Sequence, residues 1–317
     1  MLDIFTKISY SLRSALQQFR RQKGGKVNLQ KPVYVRELFD GKATIIVFGA
    51  PFNWNYAGTS REDMEAKNPG ITTAIEEVMR EYGINRAFVP KPAFNAKVVT
   101  DADLPYESLP NFFRGADADG VILTQPGDAY FLASADCLGV AIFDDRSNSL
   151  AALHCGRDAV IDRKQILGSD AERREHSSVI DAAIDQLDFM SSIAAYNSGS
   201  PKMVPHREVH DRVQAYLAAG IRPETFVHPT TDHPFAAANK LMVEYLSALP
   251  APVVTNAQAG TIDLFALVRH QLGEYGIKGI AEDEFDTATS KDAEGNFLFH
   301  SNRRNKTLRN LVVIKLN

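Results

Sequence analysis

Between Ala129 and His154 three apolar runs of strand length follow one another, parted only by short polar segments: Ala129–Ala133, Leu138–Phe143 and Ser149–His154. The runs are too short for core helices, and Asp144-Asp145-Arg146-Ser147-Asn148 is turn-forming composition. The chain is therefore committed to a sheet at its centre. Elsewhere the pattern is helical, at 71–82 (Ile71, Ala74, Ile75, Val78, Met79), 157–190, 207–219, 236–248 and 262–275. Further strands are expected at 43–49, 86–90, 96–100, 119–124 and 311–316, with long surface loops at 100–118 and 194–206. Strands and helices mix without strict alternation, which predicts an α/β protein with a mixed sheet and helices on its faces rather than a dinucleotide-binding fold. No Gly-rich nucleotide loop and no internal repeat is present.

The apolar runs fall well short of the roughly 20 residues that span a bilayer. With 39 acidic against 35 basic side chains there is no basic excess for nucleic acid. Two cysteines, Cys137 and Cys155, cannot build a disulfide framework, so a reducing, cytoplasmic setting is expected. Residues 1–26 stand apart from the domain expected over 27–317. Leu2, Phe5, Ile8, Leu12, Leu16 and Phe19 form one apolar stripe on a cationic helix, which Gly24-Gly25 ends. Such a helix can dock on its own protein, on a second subunit as in a homo-oligomer, or on an anionic membrane surface.

Chemistry concentrates in the central hairpin. A turn centred near 145–146 sets Cys137 opposite His154, give or take one residue, with Cβ atoms roughly 5 Å apart. The imidazole can draw the thiol proton and create a thiolate nucleophile, or both side chains can ligate zinc or copper. Gly156 at the strand end exposes backbone N–H groups and Arg157 adds a planar donor, a combination suited to phosphate or carboxylate. Near the C-terminus Phe299-His300-Ser301-Asn302-Arg303-Arg304 can close an anionic pocket, or form a solvated basic loop. His206 and His210 have helix-face spacing without a third ligand, and His228 and His233 read as loop residues.

Ser134-Ala135-Asp136-Cys137-Leu138, followed by Ala151-Ala152-Leu153-His154-Cys155-Gly156, resembles the signature of the laccase-domain (YfiH-like) family. Asn68, the helix around Asp263, Leu264, Arg269, Gln271, Leu272 and Gly276, and the Phe-x-Ser-x-Arg-Arg pattern at Phe299–Arg304 extend the likeness in the same order. The resemblance implies a single multilayer α/β domain related to toxin deamidases that use a Cys–His pair. It also implies an enzyme of the kind described as a multicopper polyphenol oxidase or as a purine nucleoside phosphorylase that also deaminates adenosine. Its site would hold zinc, or copper, on His, Cys and His. Cys137 and His154 match the second and third ligands, whereas Phe94 falls where the first histidine belongs. Cys155, His300 or water would then have to complete the metal site. Other departures are Arg157 one position early with no Trp, and Asp286-Thr287 in place of Cys-Thr. In this reading Asp136 orients His154 or a substrate hydroxyl, and Gly156, Arg157, Ser301, Arg303 and Arg304 take phosphate beside a purine nucleoside. Without a metal, Cys137 becomes the nucleophile of a thiolate–imidazole hydrolase or amidase. A non-catalytic scaffold that interacts through residues 1–26 is the alternative. Copper-dependent phenol oxidation is disfavoured by eight scattered histidines without a His-x-His pair.

Overall fold

A computed structural model describes residues 31–167, 175–198 and 212–317. The cationic segment 1–26 and the pair His206 and His210 lie outside them. Two mixed sheets stack face to face. The first orders Tyr34–Leu38 (β1), Ala43–Phe48 (β2), Asn310–Leu316 (β15), Asp128–Ser134 (β8), Arg86–Phe88 (β3), Phe112–Arg114 (β6) and Tyr106–Leu109 (β5). The second orders Gly279–Glu282 (β14), Val213–Ala218 (β11), Leu138–Asp144 (β9), Ser149–Cys155 (β10), Gly120–Leu123 (β7) and Val98–Val99 (β4). Val254–Asn256 (β12) and Thr261–Ile262 (β13) make a separate ribbon.

Alternation along each strand sorts the side chains into layers. Tyr130, Leu132, Ala141, Phe143, Leu150, Ala152, Val312 and Ile314 form the core between the sheets. The outer face of the first sheet buries Ile46, Phe48, Phe131 and Val313 beneath Ile71–Glu81 (α2), which presents Ile71, Ala74, Ile75, Val78 and Met79; Arg61–Lys67 (α1) adds Met64. The outer face of the second sheet packs Leu138, Val140, Ala151 and Leu153 against Val179–Asn197 (α5), Ala236–Ser247 (α6) and Leu264–Glu274 (α7). The result is a four-layer α/β/β/α sandwich. Among the described residues no helix is long and apolar enough to cross a membrane.

Three expectations need correction. The stretch 207–219 is not helical where it is described. Val213–Ala218 is a central strand, antiparallel to β9 and parallel to β14. Its alanines favour a helix in isolation, but Val213, Ala215 and Leu217 pack toward the helices while Tyr216 and Ala218 pack between the sheets. The expected long helix 157–190 is instead three pieces: Arg157–Val160 (α3), Arg163–Ile166 (α4) and α5. Ser178 restarts the chain with a capping box to Asp181. The expected loop 100–118 contains the β5–β6 hairpin, which pins Leu109 and Phe112 into the core.

Candidate active site

The β9–β10 ladder runs from Ser149↔Asp144 to Cys155↔Leu138. One further step would put Cys137 opposite Gly156, so the register is displaced by two residues from the expected facing of Cys137 and His154. A displacement of two keeps every side chain on its own face, whereas a displacement of one reverses them all. Cys137 and His154 therefore meet as diagonal neighbours across a glycine. Gly156 is what makes the meeting possible. A Cβ there would stand 3.2 Å from Cys137 Sγ, 3.1 Å from His154 Cε1 and 2.9 Å from Phe94 Cε1.

His154 is only 4% exposed. Its Nδ1 lies 3.3 Å from Asp119 Oδ1, and its backbone N–H donates to the Asp119 carbonyl at 2.7 Å. With Nδ1 committed to Asp119, Nε2 is the ring nitrogen left for the hydrogen bond with Cys137. Burial by itself would lower the imidazole pKa. The charge of Cys137, the hydrogen bonds to Asp119 and Cys137 and the charge of Asp119 outweigh it, and the pKa rises to about 9. Asp119 is fully buried and accepts the backbone N–H groups of Phe94 at 3.0 Å and Asn95 at 2.7 Å. Burial opposes its ionisation, but the His154 contact and these two donors hold its pKa below the usual carboxylate range. Cys137, half-buried, completes a thiol–imidazole–carboxylate relay at the wall of an open cavity of about 520 Å³.

The other expected residues fall into two groups. Arg157 and Arg303 line the cavity. The Arg157 fork is occupied by Asp158, with both N···O distances 2.9 Å. Arg303 reaches the Val227 carbonyl at 3.3 Å and lies over the Phe226 ring. Ser301 and Arg304 do not line it. Ser301 is a buried turn residue that accepts the Arg303 N–H, and Arg304 is held by the Thr287, Ala288 and Phe299 carbonyls over Phe297. Asp136 borders the cavity, but its carboxylate accepts Thr287 Oγ1 at 2.9 Å and the Asn302 N–H at 3.0 Å. The carboxylate hydrogen-bonded to His154 is Asp119.

His228 lines the same cavity although its sequence context is that of a loop. Burial, reinforced by the positive Arg157 and Arg303, pushes its pKa down to about 4, so the ring is neutral at pH 7. Its Nδ1 is buried without a hydrogen-bond partner. Phe226, Phe235 and Arg163 also line the cavity, and nothing local in the sequence marked them.

A zinc or copper ion does not fit this donor set. Phe94, which stands where the resemblance puts the first histidine, sets its ring 5.3 Å from that of His154 and offers no donor. Cys155 follows His154 on β10 and so points to the opposite face, into the helix-side core. His300 Nε2 is engaged with the Phe52 carbonyl at 3.0 Å. Among the described residues no three His, Cys, Asp or Glu side chains cluster so as to hold a metal.

Comparison with known proteins agrees with this architecture. Residues 53–181 match the family model described as multi-copper polyphenol oxidoreductase laccase. No curated protein matches by sequence. Among solved structures, a Neisseria meningitidis protein of the DUF152 family aligns with TM-score 0.51 at 19% identity, covering 87% of this chain and 95% of its own. The Bacillus licheniformis hypothetical protein YfiH aligns with TM-score 0.56 at 16% identity, covering 87% and 92%. YlmD from Geobacillus stearothermophilus aligns with TM-score 0.53 at 15% identity, covering 87% and 91%. Residues 53–181 thus carry a match to the laccase family model, and the chain as a whole shares its fold with the YfiH and DUF152 structures.

Proposed function

We propose that this protein is a metal-independent, thiol-dependent hydrolase that cleaves a small amide or ester in the Cys137 cavity. The observation that carries the reading is the Cys137–His154–Asp119 relay, with Phe94 standing where a metal ligand would be required. Asp119 orients the imidazole, and His154, whose pKa is raised to about 9, stands beside Sγ to exchange its proton. Sγ attacks the carbonyl carbon, the C–N or C–O bond breaks, and His154 delivers its proton to the leaving nitrogen or oxygen. Water, deprotonated by His154, then cleaves the thioester and returns the thiol. Two unpaired cysteines suit the reducing cytoplasm, where a thiolate survives.

Purine nucleoside phosphorolysis is the second reading. Phe94, Phe226 and Phe235 offer faces for a base, and Arg157, Arg163 and Arg303 offer charge for phosphate, within a cavity of nucleoside size. The engaged fork of Arg157 ranks this reading second.

The test is mass spectrometry of the intact protein during turnover of p-nitrophenyl acetate, with adenosine or inosine plus phosphate run in parallel. An acetyl group that appears on Cys137, turns over and vanishes in Cys137→Ala supports the hydrolase. Base release that depends on phosphate would replace it with the phosphorylase. Neither product, together with an iodoacetamide-inert Cys137, would leave a non-catalytic scaffold, and attention would turn to residues 1–26.

A further inference from the structure

A second cavity, about 540 Å³, opens where the first sheet splits, and it shares no lining residue with the Cys137 cavity. β3 pairs with β8 only from Arg86↔Asp128 to Phe88↔Tyr130. Beyond Phe88 the chain stays with the β6 side instead, through Val89 N–H to the Phe113 carbonyl and Lys91 N–H to the Ala116 carbonyl. The vacated edge of β8 is capped by one side chain. Tyr56 donates its hydroxyl proton to the Phe131 carbonyl at 2.8 Å and accepts the Ala133 N–H at 2.9 Å. The rest of the split stays open, walled by Tyr56, Tyr106, Val89, Pro90 and Leu132.

Arg114 lines this cavity without a carboxylate in direct contact; Asp63, which is paired with Lys67, acts on it only from a distance. Its Nη1 and Nη2 donate to the Gly58 and Tyr56 carbonyls at 2.6 and 2.9 Å, and it makes no ion pair among the described residues. The other charges bordering the cavity cancel in pairs: Lys67 with Asp63, and Lys91 with Asp117. Arg114 Nε and the Tyr130 hydroxyl are both buried without a partner, although buried polar groups are nearly always hydrogen-bonded. Burial lowers the Arg114 pKa, and the more distant charge of Asp63 offsets it only in part.

A guanidinium without a direct ion pair, unfilled hydrogen-bonding capacity and aromatic walls together ask for an organic anion with a flat apolar body. We propose that this cavity binds a small aromatic monocarboxylate, with the carboxylate against Arg114 and the ring packed on Tyr56 and Tyr106. The lining of this cavity contains none of Cys137, His154 and Asp119.

Titration calorimetry with phenylacetate on the full chain tests it. Saturable one-site binding is expected, retained in Cys137→Ala and at least about tenfold weaker for neutral phenylacetamide. Arg114→Gln should abolish it. Because Arg114 also holds segment 56–58, and the Tyr106 hydroxyl donates to the neighbouring Thr59 carbonyl, two companion variants are used. Tyr106→Phe drops that hydrogen bond but keeps the ring and should keep binding. Tyr106→Ala should weaken binding about tenfold, with the half-exposed side chain lost and the fold intact. No saturable binding at millimolar phenylacetate overturns the proposal. So does equal affinity for the amide, unchanged binding in Tyr106→Ala, or loss of binding in Cys137→Ala, which would move the ligand to the other cavity.

Discussion

Asp119→Asn isolates the least exposed member of the relay. The substitution keeps volume but removes the charge, and replaces one of the two oxygens that accept the Phe94 and Asn95 N–H groups. The His154 pKa of about 9, against 6.5 for a free imidazole, corresponds to roughly 3 kcal/mol favouring the imidazolium. Cys137 and Asp119 share that stabilisation. The folded pKa lies above the unfolded one, so the stabilisation is complete below about pH 6.5, declines as pH rises, and is gone above about 9. Asp119→Asn should move the His154 pKa down toward 6.5, followed by NMR of its Cε1 proton. Iodoacetamide labelling of Cys137 at pH 7.5 should slow about tenfold in all, as the imidazolium falls from nearly the whole population to about a tenth of it. Urea denaturation adds an independent arm: the wild type should lose more stability than the variant between pH 6 and pH 10. An unchanged His154 titration and an unchanged labelling profile would refute Asp119 as the residue that sets the protonation of this site.

Gly156→Ala meets no backbone obstacle, since φ is −74°, but its methyl enters the space shared by Cys137, His154 and Phe94. It should leave the fold intact, cost about 1–3 kcal/mol in thermal denaturation, and slow Cys137 alkylation by forcing thiol and imidazole apart. Phe94→His restores a third donor beside Cys137 and His154, and should confer stoichiometric zinc binding, read by competition with a chromogenic chelator; failure would mean that the loop at Phe94, where φ is +54°, aims the side chain away from the pair. Asp144 is fully buried and receives Arg212 Nε at 2.8 Å, along with the Ser147 and Ser191 hydroxyls. Asp144→Ala should destabilise by about 3–5 kcal/mol in urea, because it strips a largely buried arginine of one carboxylate; a loss below about 1 kcal/mol would contradict the burial argument.

Hydrophobic periodicity marks the layers because each strand has one side facing the gap between the sheets and the other facing helices. It fails at β11, where burial on both sides removes the alternation and alanines leave only a helical preference. The site divides in the same way. Cys137 and His154 were legible because one hairpin joins them, and the error in the turn was an even number of residues, which preserves facing. Asp119 was not legible as their partner. β7 lies beside β10 in the second sheet, yet the chain between them passes through β8 in the first, so no local arithmetic connects Asp119 to His154. The same detour fixes the chemistry. Just before β7, Asp119 is held by the N–H groups of the loop that carries Phe94, so one segment both positions the carboxylate and sets a phenyl ring beside His154. A histidine at 94 would make that loop part of a metal site, whereas a phenylalanine leaves it serving the carboxylate. On the proposed reading, the identity of residue 94 thus decides whether this loop adds a donor beside Cys137 and His154 or serves only to hold Asp119 against the imidazole.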